Sequence, residues 1–77
     1  MEVNRRDPTP LHEQLAAILR EQIASGEITD MLPSESYLQQ QHGVSRGTVR
    51  RAIEMLAAEG LVFTIRARGT FVGPRPD

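Results

Sequence analysis

The 77-residue chain contains no cysteine, no lysine and no tryptophan, and it has only one Tyr and two Phe. Without cysteine no disulfide can brace the fold, which fits a reducing cytosol. No apolar run approaches the roughly 20 residues that a membrane-spanning helix needs, and the first ten residues lack the apolar core of a signal peptide. The length allows one small domain with a thin core. These absences predict a soluble cytoplasmic domain, or a fragment of a larger protein, with no membrane partner.

Positive charge is concentrated in the second half of the chain. The net charge is −1, but residues 1–42 hold three Arg and seven acidic residues, whereas residues 43–77 hold six Arg and three acidic residues. Such asymmetry is typical of a chain with one local basic surface. Arginine suits bidentate recognition of phosphate and guanine. A genome biased towards arginine codons would explain the same preference for arginine.

The first amphipathic pattern lies near the start of the chain. Thr9 can cap a helix, Pro10 suits its first position, and Gly26 can end it. Apolar side chains at spacings of three and four form one stripe, which consists of Leu11, Leu15, Ile18, Leu19 and Ile23. This pattern predicts a helix packed along one face.

A shorter helical pattern follows a segment, residues 27–32, that we interpret as a loop or a very short strand. Ser34 can cap this second helix, and Gly43 ends it. Leu38 is its clearest core residue, and we expect Tyr37 to pack beside it.

The third helical pattern begins at Ser45, a capping residue, and stops at Gly60. Val44 and Val49 flank the cap at the spacing of a hydrophobic staple. At 100° per residue the apolar residues share one face, which comprises Val49, Ala52, Ile53 and Leu56. The opposite face of the first two turns carries Arg46, Gly47, Arg50 and Arg51.

One stretch alone is rich in β-branched and aromatic residues. Residues 61–65 and 70–72 read as two strands of a hairpin. Between them, Ala67 and Arg68 are predicted to form a type I turn, with Gly69 left-handed in a bulge.

This order of elements predicts an α+β fold that is mostly α: a winged helix-turn-helix with three helices followed by a two-stranded β-hairpin wing. In such motifs the start of the second helix of the pair reaches base edges in the major groove of double-stranded DNA. Ser45 and its neighbouring amides can face a phosphate, and Gly47 allows close approach of the backbone. Thr48 can bond phosphate or touch a thymine methyl, while Arg46 and Arg50 reach into the groove together.

The predicted wing repeats this chemistry. Arg66 and Arg68 flank Ala67 at the tip, a shape that can enter a minor groove or grip phosphates. A surface hairpin with solvated arginines is the simpler alternative. For the third helix the alternative is likewise a solvated charged face.

Two other function classes have less to support them. A winged helix used only for protein contacts could employ the glutamine-rich residues 39–42. The sequence offers few candidate catalytic residues. His12 and His42 lie on different predicted helices, without a third metal ligand. His42 is most simply a partner for the dipole at a helix C-terminus. The sequence predicts no enzyme, no metal and no cofactor.

Four motifs together resemble a known family. The stretches "PLHEQLAAILREQIASGEI", "LPSESYL", "GVSRGTVRRAIEMLAAEGLV" and "RGTFV" are similar to the N-terminal DNA-binding domain of the GntR family of bacterial transcription regulators, and in particular to its HutC-like branch. The resemblance runs from Pro10 to Val72 with the elements in order and correctly spaced.

The resemblance implies a regulator, expected to be a repressor, that binds a palindromic operator as a homodimer. By position, the recognition contacts would come from Ser45, Arg46, Thr48 and Arg50. Ser36 stands where the family often has an arginine that binds phosphate, and Arg66 and Ala67 stand where the wing approaches the minor groove. Glu35 fits a residue that starts the helix or orients an arginine.

Three departures from the family pattern are visible. The segment before "LPSE" is shorter, so the loop after the first helix should be tighter. Ala67 replaces a usual glycine at the wing tip, which affects close approach to DNA. Ser36 cannot supply the charge of an arginine, so we expect modest affinity of the isolated domain.

The resemblance also implies a division of the chain. Residues 1–9 would be a flexible N-terminus, residues 10–73 the DNA-binding domain, and residues 74–77 a linker to a C-terminal domain that binds a small-molecule effector and dimerises. Without that domain, this chain is expected to be mainly monomeric.

Overall fold

A computed structural model describes residues 2–76 and contains three helices followed by a two-stranded antiparallel hairpin. The elements are α1 (Leu11–Ala24), α2 (Glu35–His42), α3 (Arg46–Ala58), β1 (Val62–Ile65) and β2 (Gly69–Val72). The predicted winged helix-turn-helix is therefore confirmed. Both Met1 and Asp77, which the sequence assigns to the N-terminal segment and to the linker, lie outside the described residues.

Helix α1 begins one residue later than predicted. Pro10 is its N-cap, and the Pro10 carbonyl accepts hydrogen bonds from the amides of Glu13 and Gln14 at 3.0 and 3.1 Å. The cap predicted at Thr9 is therefore wrong, because the first helical bonds are made to Pro10 and no side chain caps this end. Gly26 follows the helix with a φ of +83°, as its predicted role in ending α1 requires.

Helices α2 and α3 start at the predicted caps. The Ser34 hydroxyl accepts a hydrogen bond from the Tyr37 amide, and the Ser45 hydroxyl accepts one from the Thr48 amide, both at 3.1 Å. Gly43 closes α2 in the left-handed conformation, φ +63°. Tyr37 is 55% exposed, so the prediction that it packs beside Leu38 is wrong. Its position in the first turn lies off the buried stripe of α2.

The core joins all three helices to the first strand of the wing. Helix α3 lies centrally, packed against α1, α2 and β1. The predicted apolar faces of α1 and α3 supply most of the buried residues, which form one cluster of Leu15, Ala16, Leu19, Leu32, Leu38, Val44, Val49, Ala52, Ile53, Leu56 and Val62. Val44 and Val49, the predicted staple, are both part of it.

The segment before α2 pairs with β2 of the wing through one isolated β-bridge. Met31 pairs with Phe71, and the Leu32 amide donates to the Thr70 carbonyl at 2.9 Å. On the hairpin, Phe63 lies opposite Phe71 with ring centroids 5.7 Å apart. These pairings fix the wing to the body of the domain on the side where α2 begins.

The N-terminal segment, predicted to be flexible, makes specific contacts with the domain. Gln14 and Asn4 exchange two hydrogen bonds, at 2.7 and 3.0 Å. Val3 is partly buried against the core, and the Arg5 guanidinium donates to the Gly43 carbonyl. These contacts connect residues 2–9 to α1 and to the end of α2. The flexibility of residues 1–9 and the other domain boundaries stay predictions.

Candidate nucleic-acid interface

The start of α3 is organised by two hydroxyl groups. Ser45 caps the helix, and its hydroxyl also lies 3.0 Å from the Thr48 hydroxyl. Ser45 is exposed and Thr48 is half-buried. Local capping therefore fixes both side chains at the helix terminus, where backbone amides and the helix dipole favour an anion.

Gly47 occupies an open position on the exposed face of α3. Among residues 2–76, a Cβ atom at this position would meet the Ser45 hydroxyl alone, at 3.9 Å, which is ordinary van der Waals contact. The domain's own packing therefore does not require glycine at this position. A glycine in a helix costs about 1 kcal/mol relative to alanine, so its presence fits a surface that something else approaches closely.

Three arginines project from this face of α3, as the helical spacing predicts. Arg46, Arg50 and Arg51 are all exposed. The Glu35 carboxylate on α2 lies 3.4 Å from the Nε of Arg46 and 3.3 Å from the Nε of Arg50. One carboxylate thus bridges two arginines that are one helical turn apart. Arg51 has no ion pair among residues 2–76. All three side chains remain exposed, so the alternative of a solvated charged face stays open.

Glu35 occupies the position of an orienting residue. It is the first residue of α2, directly after the Ser34 cap, and it is half-buried. Ser36 follows it on the exposed side of the same turn. Ser36 is thus the direct neighbour of the residue that contacts both arginines. Among the described residues, the Ser36 hydroxyl makes no hydrogen bond to another side chain.

The wing tip has a different turn from the predicted one. The Arg68 amide donates to the Ile65 carbonyl at 2.9 Å, so the turn is centred on Arg66 and Ala67. Ala67 has a φ of +67°, the pattern of a type II turn, which favours glycine at this position. The predicted type I turn over Ala67 and Arg68 is wrong because β1 and β2 pair as far as Ile65 and Gly69, leaving three residues in the loop.

Both wing arginines remain at the tip and are exposed. A groove of about 460 Å³ separates this tip from the start of α2. Its walls include Glu35 on one side and Thr64, Ala67, Arg68 and Thr70 on the other. Arg50 of α3 lines a neighbouring pocket together with Glu35, Thr64 and Thr70.

His42 does not have the role predicted for it. It is buried at the end of α2, and its Nδ1 atom has no hydrogen-bond partner among residues 2–76. Burial lowers the pKa of His42 below its ordinary value of 6.5, so the neutral imidazole is favoured at pH 7. A neutral ring gives little interaction with a helix dipole, and the prediction of a charged dipole partner is therefore wrong.

Within residues 2–76 no group of three His, Cys, Asp or Glu side chains is placed to hold a metal ion. Among the helices described, none is long and apolar enough to cross a bilayer.

Comparison with known proteins gives a consistent result. The family model for bacterial regulatory proteins of the gntR family matches residues 11–72. The repressor NagR of Bacillus subtilis is 45% identical over 74 residues, which cover 94% of this chain and 30% of NagR. The histidine utilization repressor of Klebsiella aerogenes is 40% identical over 88% of this chain and 29% of its own length. This chain thus spans about a third or less of these relatives.

Solved structures show the same similarity in three dimensions. The DNA-binding domain of AraR, in complex with operator ORX1, superposes with a TM-score of 0.87 at 32% identity, covering 95% of both chains. YtrA from Sulfolobus acidocaldarius, a transcription factor, superposes with a TM-score of 0.82 at 30% identity, covering 96% of this chain and 80% of YtrA.

Proposed function

Because this chain belongs to the GntR family of bacterial regulatory proteins, we propose that it binds double-stranded DNA by sequence, with α3 in the major groove. The AraR domain that it resembles along nearly its whole length was crystallised with an operator. The family assignment makes DNA binding the first function to test. The exposed residues at the start of α3 are those that would bind the DNA.

The observation that carries the proposal is the arrangement of Glu35 with Arg46 and Arg50. Arginine reads guanine best when its guanidinium plane is held in a fixed orientation, because the two hydrogen bonds are then formed at little cost in side-chain entropy. The shared carboxylate restricts both arginines while leaving them 66% and 57% exposed. They are therefore partly oriented and still accessible to a base.

The remaining predicted residues have supporting roles. Ser45 and Thr48 present hydroxyls and amides to a phosphate, and Gly47 lets the backbone of α3 come close to the duplex. Arg51 and Ser36 would contact the sugar-phosphate backbone. Arg66, Ala67 and Arg68 would place the wing at the minor groove or its phosphates.

Oligomeric state and regulation are further parts of the proposal. We infer a homodimer on a palindromic operator, with half-sites about one helical turn apart, since two linked weak contacts bind far more tightly than one. A C-terminal domain would supply the dimer interface and the small-molecule effector site. The protein would act as a repressor, the role that the names of several relatives give for those proteins. We place its action in the cytoplasm.

Selection from a pool of random DNA duplexes tests the proposal. Repeated capture by this domain should enrich one short half-site, and affinity for the enriched duplex should exceed that for the starting pool. Binding to both should weaken as salt is raised. No enrichment together with no salt-dependent binding would reject DNA as the partner and favour a winged helix that contacts only proteins.

A further inference from the structure

The segment of residues 2–9 carries a guanidinium to the turn between α2 and α3. We propose that Arg5 contacts a DNA backbone phosphate beside the start of α3, which would extend the interface beyond the helix and the wing. This inference rests on the proposed DNA binding. Neither the helix spacing nor the family motifs pointed to this residue, since it lies before the first helix.

Three contacts hold Arg5 in place. Val3 is partly buried against the core, and Asn4 is clamped to Gln14 by two hydrogen bonds. The guanidinium of Arg5 then donates to the carbonyl of Gly43, 38 residues away in sequence. The side chain is thus positioned by the fold, although it remains exposed.

The position of Gly43 places this charge beside the recognition helix. Gly43 precedes the α3 cap, Ser45, by two residues, and their Cα atoms can therefore be at most about 7.6 Å apart. Because the Arg5 guanidinium donates to the Gly43 carbonyl, its positive charge lies at the turn that leads into α3.

Arg5 has donors to spare. A guanidinium carries five N–H groups, and the Gly43 carbonyl uses only one nitrogen of Arg5. Because the side chain is exposed, the remaining N–H groups can turn to a phosphate while this bond persists. Such a shared arrangement fixes the direction of the guanidinium before DNA arrives.

Arg5 is not needed to end α2, so a purely structural role does not account for its contact with Gly43. The helix is already closed by backbone bonds, because the amides of Gly43 and Val44 both donate to the Gln39 carbonyl. Gly43 also supplies the left-handed residue that such an ending needs. The helix therefore does not need Arg5 in order to stop.

The test separates charge from structure with two variants and one control. Arg5→Ala removes the charge and the hydrogen bond, whereas Arg5→Gln keeps an amide that can donate to the Gly43 carbonyl. The control, Arg20→Ala, removes the same charge beside Glu59 at the far end of the 13-residue α3, about 20 Å from its start. Affinity for a mixed-sequence duplex of about two helical turns is measured across a salt series, together with thermal unfolding by circular dichroism.

Both Arg5 variants should bind roughly three- to tenfold more weakly and flatten the slope of log affinity against log salt by about 0.9. Arg20→Ala should leave that slope unchanged. The inference is overturned if the folded Arg5→Gln variant binds with the wild-type slope, or if Arg20→Ala flattens the slope equally. If the wild-type domain shows no salt-dependent binding at all, the proposed function fails as well. If it binds and only the Arg5 variants have no effect, the failure concerns Arg5 alone.

Discussion

The Glu35 carboxylate on α2 lies 3.3 Å from the Nε of Arg50 on α3, and its other oxygen lies 3.4 Å from the Nε of Arg46. An acidic side chain at the proposed DNA-binding surface would be repelled by phosphate, so the proposal has to explain its presence. In our proposal, Glu35 holds the two arginines in one orientation.

Glu35→Gln should therefore lower the preference for the selected DNA duplex and raise the affinity for random duplexes. Loss of the negative charge should strengthen binding to random duplexes, while the released arginines should reduce the preference for the selected duplex by about tenfold, roughly 1.4 kcal/mol. The stability of the domain should change little, because exposed ion pairs contribute about 0–1 kcal/mol. Matched titrations on both duplexes check this. An unchanged preference would mean that Glu35 does not orient the arginines.

The wing arginines should add affinity with little sequence information. Arg66→Ala and Arg68→Ala should each weaken binding to selected and random duplexes alike, and should flatten the salt slope by about 0.9 for each phosphate that the variant no longer neutralises. A salt series on both duplexes measures this. If either variant instead alters the preference between duplexes at constant slope, the wing reads bases.

The wing turn stores strain at Ala67. Ala67 has a positive φ, and an L-residue in the left-handed region costs roughly 1–2 kcal/mol of folding free energy, which glycine would avoid. Glycine also has more conformational entropy in the unfolded chain, and this offsets about 0.4–1 kcal/mol of that gain. Ala67→Gly should therefore stabilise the domain by about 0.5–1 kcal/mol and keep or tighten DNA binding. Urea unfolding followed by circular dichroism checks the first part. Arg66→Gly is the matched control, since its position in the turn has no positive φ and it should not be stabilised.

His42 should make stability depend on pH in one direction. Its pKa in the folded domain lies below the ordinary value of 6.5, so the unfolded chain binds more protons in the window beneath that value. Stability should therefore be greatest above pH 6.5 and fall as the pH is lowered through the window to the folded pKa. Thermal unfolding between about pH 7.5 and pH 5 measures the change.

The control for this effect is His42→Leu, which removes both the titrating ring and the unpartnered Nδ1 atom. It should show much weaker pH dependence over the same range. An equally steep dependence in this variant would assign the effect to other groups.

Elements that depend on local sequence were predictable. Ser34 and Ser45 cap helices through residues three positions away, and Gly43 ends α2 by its own backbone conformation. The apolar faces of α1 and α3 followed from spacings of three and four residues. Each of these features depends on residues within one or two helical turns of one another, so it can be predicted from local sequence.

Features that depend on distant residues were harder to predict. Glu35 meets Arg50 across 15 positions and Arg5 meets Gly43 across 38, so neither contact has a signature in sequence spacing. The resemblance to a family suggested an orienting role for Glu35, but it offered nothing for Arg5. The Ala67 turn was mistaken because strand pairing, rather than turn propensity, set the loop length.

The central claim is that α3 distinguishes DNA sequences through its first two arginines. The most direct measurement is the ratio of affinities for the selected and the random duplex, at matched salt, for the wild-type domain and for Arg46→Ala and Arg50→Ala. Each substitution should cost about 1–3 kcal/mol on the selected duplex and much less on the random one, so that the ratio falls by roughly tenfold or more. A ratio that stays at the wild-type value in both variants would contradict this claim, because the arginines would then contribute only charge.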